Sequence, residues 1–201
     1  MKTVKSSIIP LPYSDLNTDL IFPTKHLTTL SRNNLGAFLF LGLRKMDRAF
    51  PLNKKKYRRS SILVTRRNFG CGSSRNHAVW ALIDWGIRAV IAPSFSDIFY
   101  SNAVKSFLLP VAQEAEIVER IFAAERCCHA YTIEIDLEKE RVILPGGVGY
   151  SFFINNHDKH FLINEISYLD LLLSKKDKIV AFDRSRELFI DNKVFNPMNP
   201  T

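Results

Sequence analysis

The ten residues Asn68-Phe69-Gly70-Cys71-Gly72-Ser73-Ser74-Arg75-Asn76-His77 gather small, hydroxyl-bearing and cationic side chains in one short stretch. Glycines at alternate positions let successive backbone N–H groups turn toward one point, and such a concavity favours an anion. A helix starting just beyond it adds its positive end to that preference. Arg75 offers a planar fork that matches a carboxylate. A serine hydroxyl is a poor base near neutral pH, so a serine that removes a proton needs donors around its alkoxide. Backbone N–H groups and Arg75 can supply them here. Each residue also has an ordinary structural use. Ser73 and Ser74 are good helix-capping types, and Cys71 is a small packing residue with no adjacent base. His77 can cap or pack, and Trp80 and Trp85 suit a core or an interface. The loop follows neither the dinucleotide-binding nor the P-loop pattern, so no nucleotide is indicated.

The elements that must hold this loop follow from periodicity. Ser61-Ile62-Leu63-Val64-Thr65 is rich in β-branched residues and predicts a buried strand before it. From Ser73 a helical pattern places Ala78, Ala81, Leu82 and Trp85 on one face and stops at Gly86. Ile87–Ala92 predicts the next strand, Ser96-Asp97 a helix start carrying Ile98, Phe99, Ala103 and Val104, and Leu108–Val111 a short strand. Ala115–Arg126 is amphipathic at helical spacing. The period then switches to two, with Tyr131–Leu137 and Arg141–Leu144 as a hairpin, Ser151–Ile154 as a further strand, and helical pattern over 158–173. The start, Met1–Pro10, predicts a short strand. Residues 24–60 predict a long loop region around one short element at Leu35–Phe40. This order argues for a single α/β domain with a mixed sheet and flanking helices, over residues 1–183. Residues 184–201 are expected to be a loose C-terminal tail.

Composition narrows the function classes. With 46% apolar and 24% charged residues the chain has the makings of an ordinary globular core, which excludes disorder over most of its length. The apolar runs are too short to span a bilayer, and the start has no sustained apolar segment of a secretory signal, so a cytoplasmic location is expected. Cys71 stands alone and Cys127 adjoins Cys128, which leaves no C-x-x-C pair for zinc or for an iron–sulfur cluster on this chain. The formal net charge of +8 fits a solvated basic surface, an anionic substrate, an acidic partner or nucleic acid. Nucleic acid is not expected, because no basic stripe is interleaved with aromatic residues that could stack on bases.

The stretch Asn68–Arg75, with His77-Ala78 and Trp80-Ala81-Leu82 after it, resembles the signature of 3-isopropylmalate dehydratase small subunits, relatives of the aconitase swivelling domain. Two further blocks agree: Ile91–Tyr100 with Asn102 and Leu108–Val111, and, near the start, Asn17-Thr18-Asp19-Leu20-Ile21-Phe22-Pro23. The resemblance implies a swivelling β/β/α domain. It also implies a partner large subunit that carries a [4Fe–4S] cluster, and interconversion of 2- and 3-isopropylmalate in leucine biosynthesis. By motif position it makes Ser73 the catalytic base, and Ser74 and Arg75 binders of a substrate carboxylate. Arg32 would hold another carboxylate, Leu27 would meet the isopropyl group, and Thr18, Asp19, Gly70 and Gly72 would support the loops. Asn76 stands where the family usually has glutamate, and Asn17 where it usually has aspartate. The alternatives are the small subunit of homoaconitase or a related hydro-lyase and, in another class, a basic RNA-binding or non-catalytic partner-binding domain.

Overall fold

A strand of nine residues, β1 (Thr3–Leu11), is the seam of the molecule. Its first half, Thr3 to Ser7, pairs antiparallel with β5 (Thr132–Asp136), and its second half, Ile8 to Leu11, pairs parallel with β2 (Ile62–Thr65). Beyond β2 lie β3 (Ala89–Ala92) and β4 (Leu109–Ala112), all parallel; beyond β5 lie β6 (Arg141–Ile143) and β7 (Gly149–Ser151), all antiparallel. The seven-stranded order is therefore β4-β3-β2-β1-β5-β6-β7. Pro10 falls past Ser7, the last β1 residue paired to β5, and Pro110 lies in the edge strand β4. These are positions where a missing N–H disturbs no ladder. The computed structural model describes residues 1–26, 34–127, 131–166 and 168–187, so Leu27, Arg32 and residues 188–201 of the expected tail lie outside the described residues.

Every residue of β2 and β3 is buried, as parallel strands covered on both faces must be. One face packs Ile9, Leu11, Leu63 and Val90 under α1 (Thr18–Ile21) and α3 (Asn76–Trp85), together with Phe40, Phe50 and Tyr57. The other face packs Ile62, Val64, Ile91 and Val111 against α5 (Ala115–Cys127). Between α1 and α3 runs α2 (Leu41–Met46), flanked by short 3₁₀ turns at Thr24–His26, Leu35–Phe38, Pro51–Asn53 and Lys55–Tyr57. The described part of the long loop expected over 24–60, residues 24–26 and 34–60, is thus a series of tight turns and the short α2, anchored by buried Phe50, Leu52 and Tyr57. Each turn is too short to show a helical period in the sequence.

Helix α4 (Asp97–Lys105) starts at Ser96, whose hydroxyl accepts the Phe99 N–H, as the sequence predicts. Helix α3 ends at Gly86, in the left-handed region at φ 105°, with the expected stop chemistry. The expected strand at 151–154 is β7 (Gly149–Ser151), slightly earlier. The helical pattern over 158–173 divides into α6 (Asn156–Asn164) and α7 (Tyr168–Ser174). The chain separates into one compact unit, Met1–Glu165, and a second, Ile166–Thr201, whose described part is α7 and α8 (Lys176–Glu187). Residues 184–187 of the expected tail are helical. Among the described residues no helix is long and apolar enough to cross a membrane.

Candidate active site

The loops after β1, β2 and β3 meet at the C-terminal edge of the parallel strands. Isolated bridges Asn17↔Cys71 and Phe69↔Phe95 prolong the parallel ladder into these loops and set their register. Thr18 N–H donates to Cys71 O at 2.8 Å, and Gly70 N–H donates to Leu16 O at 2.8 Å. From the third loop, Ser96 donates its hydroxyl to Gly70 O at 2.7 Å. Gly70 is required here for two reasons. Its φ is +76°, and a Cβ on it would lie 2.2 Å from Cγ of Phe99. That ring is itself held against Phe69 and Phe95.

This scaffold presents Ser73 to solvent beside a buried hydroxyl. Thr18 Oγ1 accepts the Ser73 N–H at 3.2 Å and lies 3.1 Å from Ser73 Oγ. Either hydroxyl can be the donor in that contact, so the Thr18 proton can turn to the Ser73 oxygen when that oxygen carries negative charge. Arg75 donates from Nη1 to Asp19 Oδ1 and, at 3.0 Å, to Thr24 Oγ1. Thr24 in turn donates to Asp19 Oδ1 at 2.7 Å. The hydrogen bond from Thr24, opposed by partial burial and reinforced by the Arg75 charge, holds the Asp19 carboxyl below its ordinary value of 3.8. Asp19 is therefore charged at neutral pH and fixes one edge of the guanidinium. Among the described residues the Nε and Nη2 donors have no partner, leaving the two-pronged edge for a carboxylate.

The sequence-based assignments fare unevenly in geometry. Ser73, Arg75, Thr18, Asp19, Gly70 and Gly72 come together; Ser74 is exposed beside them. Leu27 and Arg32 lie outside the described residues. The expected helix start at Ser73 is corrected: the first helical residue is Asn76, Arg75 stands at the cap position, and no side chain caps the helix. The Ser73 hydroxyl is engaged with Thr18 instead. Of the N–H groups expected to face an anion, those of Ser73 and Arg75 are spent on Thr18 Oγ1 and Ser73 O. His77 packs between Phe22 and Trp80, its ring centroid 5.7 and 5.1 Å from theirs, which is the packing alternative. Thr24 was not singled out by sequence reasoning. A threonine five residues after Asp19 carries no local signal of the bonds it makes. Asn17, in place of the usual aspartate, caps α1 by accepting the Leu20 N–H at 2.8 Å, a role that needs only an oxygen. Among the described residues no three of His, Cys, Asp and Glu converge to hold a metal ion.

A mixed sheet with this loop-borne cluster at its parallel edge is shared with a known group: the aconitase C-terminal domain family matches residues 1–116, and the chain belongs to it. Within that family its place is with the small subunits of 3-isopropylmalate dehydratase. The small subunit from Neisseria gonorrhoeae is 39% identical over 197 residues, covering 91% of this chain and 92% of the relative. That from Saccharophagus degradans is 38% identical, covering 92% of each. The crystal structure of 3-isopropylmalate dehydratase from Methanocaldococcus jannaschii matches with a TM-score of 0.67 at 28% identity, over 90% of this chain and 99% of that one.

Proposed function

We propose that this chain is the small subunit of a cytoplasmic 3-isopropylmalate dehydratase and supplies the proton-transferring and carboxylate-binding half of an active site completed by a large subunit. The swivelling body is assigned to residues 1–183, with its compact part in Met1–Glu165. The observation that carries the reading is the exposed Ser73 hydroxyl beside the buried Thr18 hydroxyl, next to an arginine clamped on one edge only. These groups lie on an open loop surface, as half of a shared site must.

In the elimination direction the substrate carbon gives its proton to the Ser73 oxygen, the electron pair of that C–H bond becomes the new C=C bond, and the C–O bond breaks as hydroxide departs. Thr18 stabilises the Ser73 alkoxide by donating its hydroxyl proton, so part of the oxyanion support comes from a buried side chain. Arg75 takes one substrate carboxylate on its free edge with help from Ser74, while Asp19 and Thr24 prevent its rotation. Arg32 and Leu27 are assigned to a second carboxylate and to the isopropyl group. The [4Fe–4S] cluster, assigned to the large subunit, supplies Lewis acidity for the departing hydroxide. Rehydration adds hydroxide to the carbon that gave up its proton and returns the Ser73 proton to the carbon that lost its hydroxyl, which yields the isomer.

The test is co-expression with the cognate large subunit and an anaerobic assay on 3-isopropylmalate, with cluster content verified. Activity should require both chains. Ser73→Ala should keep assembly but lower turnover by about 10²–10⁴-fold, the scale of a lost general base. Near-normal turnover would remove Ser73 from the chemistry.

A further inference from the structure

Nearly all of the net charge sits in one folded segment. Residues 44–59 hold eight of the 28 lysines and arginines and one of the 20 acids, which is +7 of the chain's +8. The segment is mounted rigidly. Phe50, Leu52 and Tyr57 are buried, and Tyr57 donates to the buried Glu125 at 2.6 Å. Arg44 stacks on Trp85 at 4.7 Å, and its carbonyl accepts from the Asn53 side chain at 2.8 Å. Lys56 pairs with Glu125 at 2.9 Å. The other six cations, Lys45, Arg48, Lys54, Lys55, Arg58 and Arg59, are exposed and make no ion pair among the described residues. Like charges held this close repel one another, and Asp47 and Glu125 offset only part of the repulsion.

From this ridge we infer a docking surface for an acidic face of the large subunit, an inference that rests on the two-subunit reading above. Three observations select a protein over nucleic acid. The aromatic residues of the segment, Phe50 and Tyr57, are buried and offer no ring to a base. Met46, at 86% exposure, stands among the cations as an apolar anchor, which a phosphate backbone does not use. Beside the ridge is a cleft of about 220 Å³ walled by Pro10, Pro12, Pro51 and Phe122, with cations Lys54, Arg66 and Arg126 and carboxylates Glu119 and Glu125 at its rim. Its proline and phenylalanine walls suit an aliphatic side chain. The ridge also adjoins the edge that carries Ser73. Tyr13, in the loop after β1, stacks on Phe50 at 6.3 Å, and its carbonyl accepts from the Arg66 N–H at 3.1 Å. A partner covering the site edge can continue onto the ridge without a gap. The ridge then steers encounter, and the apolar anchor and cleft hold the docked state.

The experiment follows assembly with the cognate large subunit by stopped-flow, read as onset of turnover, at 50 and 300 mM salt (chosen to span about one Debye length of change near 10 Å). The triple variant Lys54→Glu/Lys55→Glu/Arg58→Glu should associate roughly 10–100-fold more slowly at low salt, with the difference shrinking at high salt. Its melting temperature and its turnover once assembled should be unchanged. Lys175→Glu/Lys176→Glu/Lys178→Glu makes the same charge change in the second unit and should slow assembly by less than about threefold, a bound on unfocused charge effects. Wild-type assembly that ignores salt and the ridge variant overturns the ridge alone, as does an equal effect of both triple variants. Retention of the wild type, but not the ridge variant, on duplex RNA with assembly unaffected reassigns the ridge to a polyanion. Failure of the wild type to assemble or turn over with the large subunit overturns the two-subunit reading as well.

Discussion

The two halves of the sheet share β1 and little else. In the parallel half the strands are buried on both faces, and the connections after β1, β2 and β3 converge at one edge and hydrogen-bond to one another. In the antiparallel half β5 alternates half-buried and buried residues, as a strand covered on one face does. Its connections are local: the turn between β6 and β7 closes on itself through Leu144 and Val148. Parallel strands force every connection to travel back over the sheet and arrive at the same end, and so bring distant residues together. A meander returns each strand to its neighbour and gathers nothing. The chemistry proposed for this chain therefore falls on the parallel half, and substitutions at chemically matched positions in the two halves should have unequal effects.

The largest inequality is expected at glycine. Gly70 and Gly146 both have positive φ, at +76° and +87°, but a Cβ on Gly146 meets nothing within 4 Å. Gly70→Ala combines backbone strain with overlap against a ring that has no room to move, and should cost about 3–5 kcal/mol. Gly146→Ala should cost about 1–2 kcal/mol, the left-handed penalty alone. Urea unfolding of both variants measures this, and equal midpoints would erase the contrast between the loops.

A smaller effect tests the electrostatics of the site edge. A carboxyl whose folded pKa is depressed adds stability that is fully present above its unfolded value and is lost as pH falls through the folded value. For Asp19 that window lies below 3.8. A carbon-detected carboxyl titration should give a midpoint below that value, and Asp19→Asn should flatten the acid limb of the stability curve. In the assembled enzyme the same variant should raise KM more than it lowers kcat, because it frees Arg75 rather than removing the base. A midpoint at or above 3.8 would mean that the Arg75–Asp19–Thr24 cluster does not hold in solution.

The smallest effect concerns the uncapped start of α3, which has no acid in its first turn. Asn76→Glu places a carboxylate at the positive end of the helix and should raise stability by about 0.5 kcal/mol at low ionic strength, less with added salt. Thermal unfolding at two salt concentrations reads it. A loss of stability would show that neighbours at this edge already supply negative charge.

The buried strands β2 and β3, the hairpin β5–β6, and the capped and stopped ends of α4 and α3 were legible because their causes are local: β-branched runs, a period of two, a serine cap, a glycine stop. The glycine loop itself was legible as the break between β2 and α3, where Gly70 and Gly72 both take positive φ. The start of α3 at Asn76 was not, because the serine that would cap it bonds instead to Thr18, 55 residues earlier in the chain. The bond that Thr24 receives from Arg75, 51 residues away, and the demand that Phe99 places on Gly70 escaped for the same reason. Both are set by a residue far away in sequence, and no local window along the chain contains both partners. Helix α1 has four residues and shows no periodicity; it exists because Asn17 caps it and the Cys71 carbonyl receives the Thr18 N–H.

The seam strand has a consequence for how the chain is made. In the register of β1, Ile8 meets Ile62 whereas Val4 meets Ile135, so one strand waits for partners about 54 and about 131 residues downstream. At about 5–20 residues per second of synthesis, the second wait is roughly 7–26 s. Throughout it the parallel half can form on the ribosome while the first five residues of β1 remain an open strand edge. That edge, followed by the buried residues Ile8 and Ile9, is the place where nascent chains would pair with one another before β5 emerges. Lys2 and Lys5, which later bridge to Glu138 and Glu134 at 2.8 and 3.2 Å, keep that edge charged during the interval.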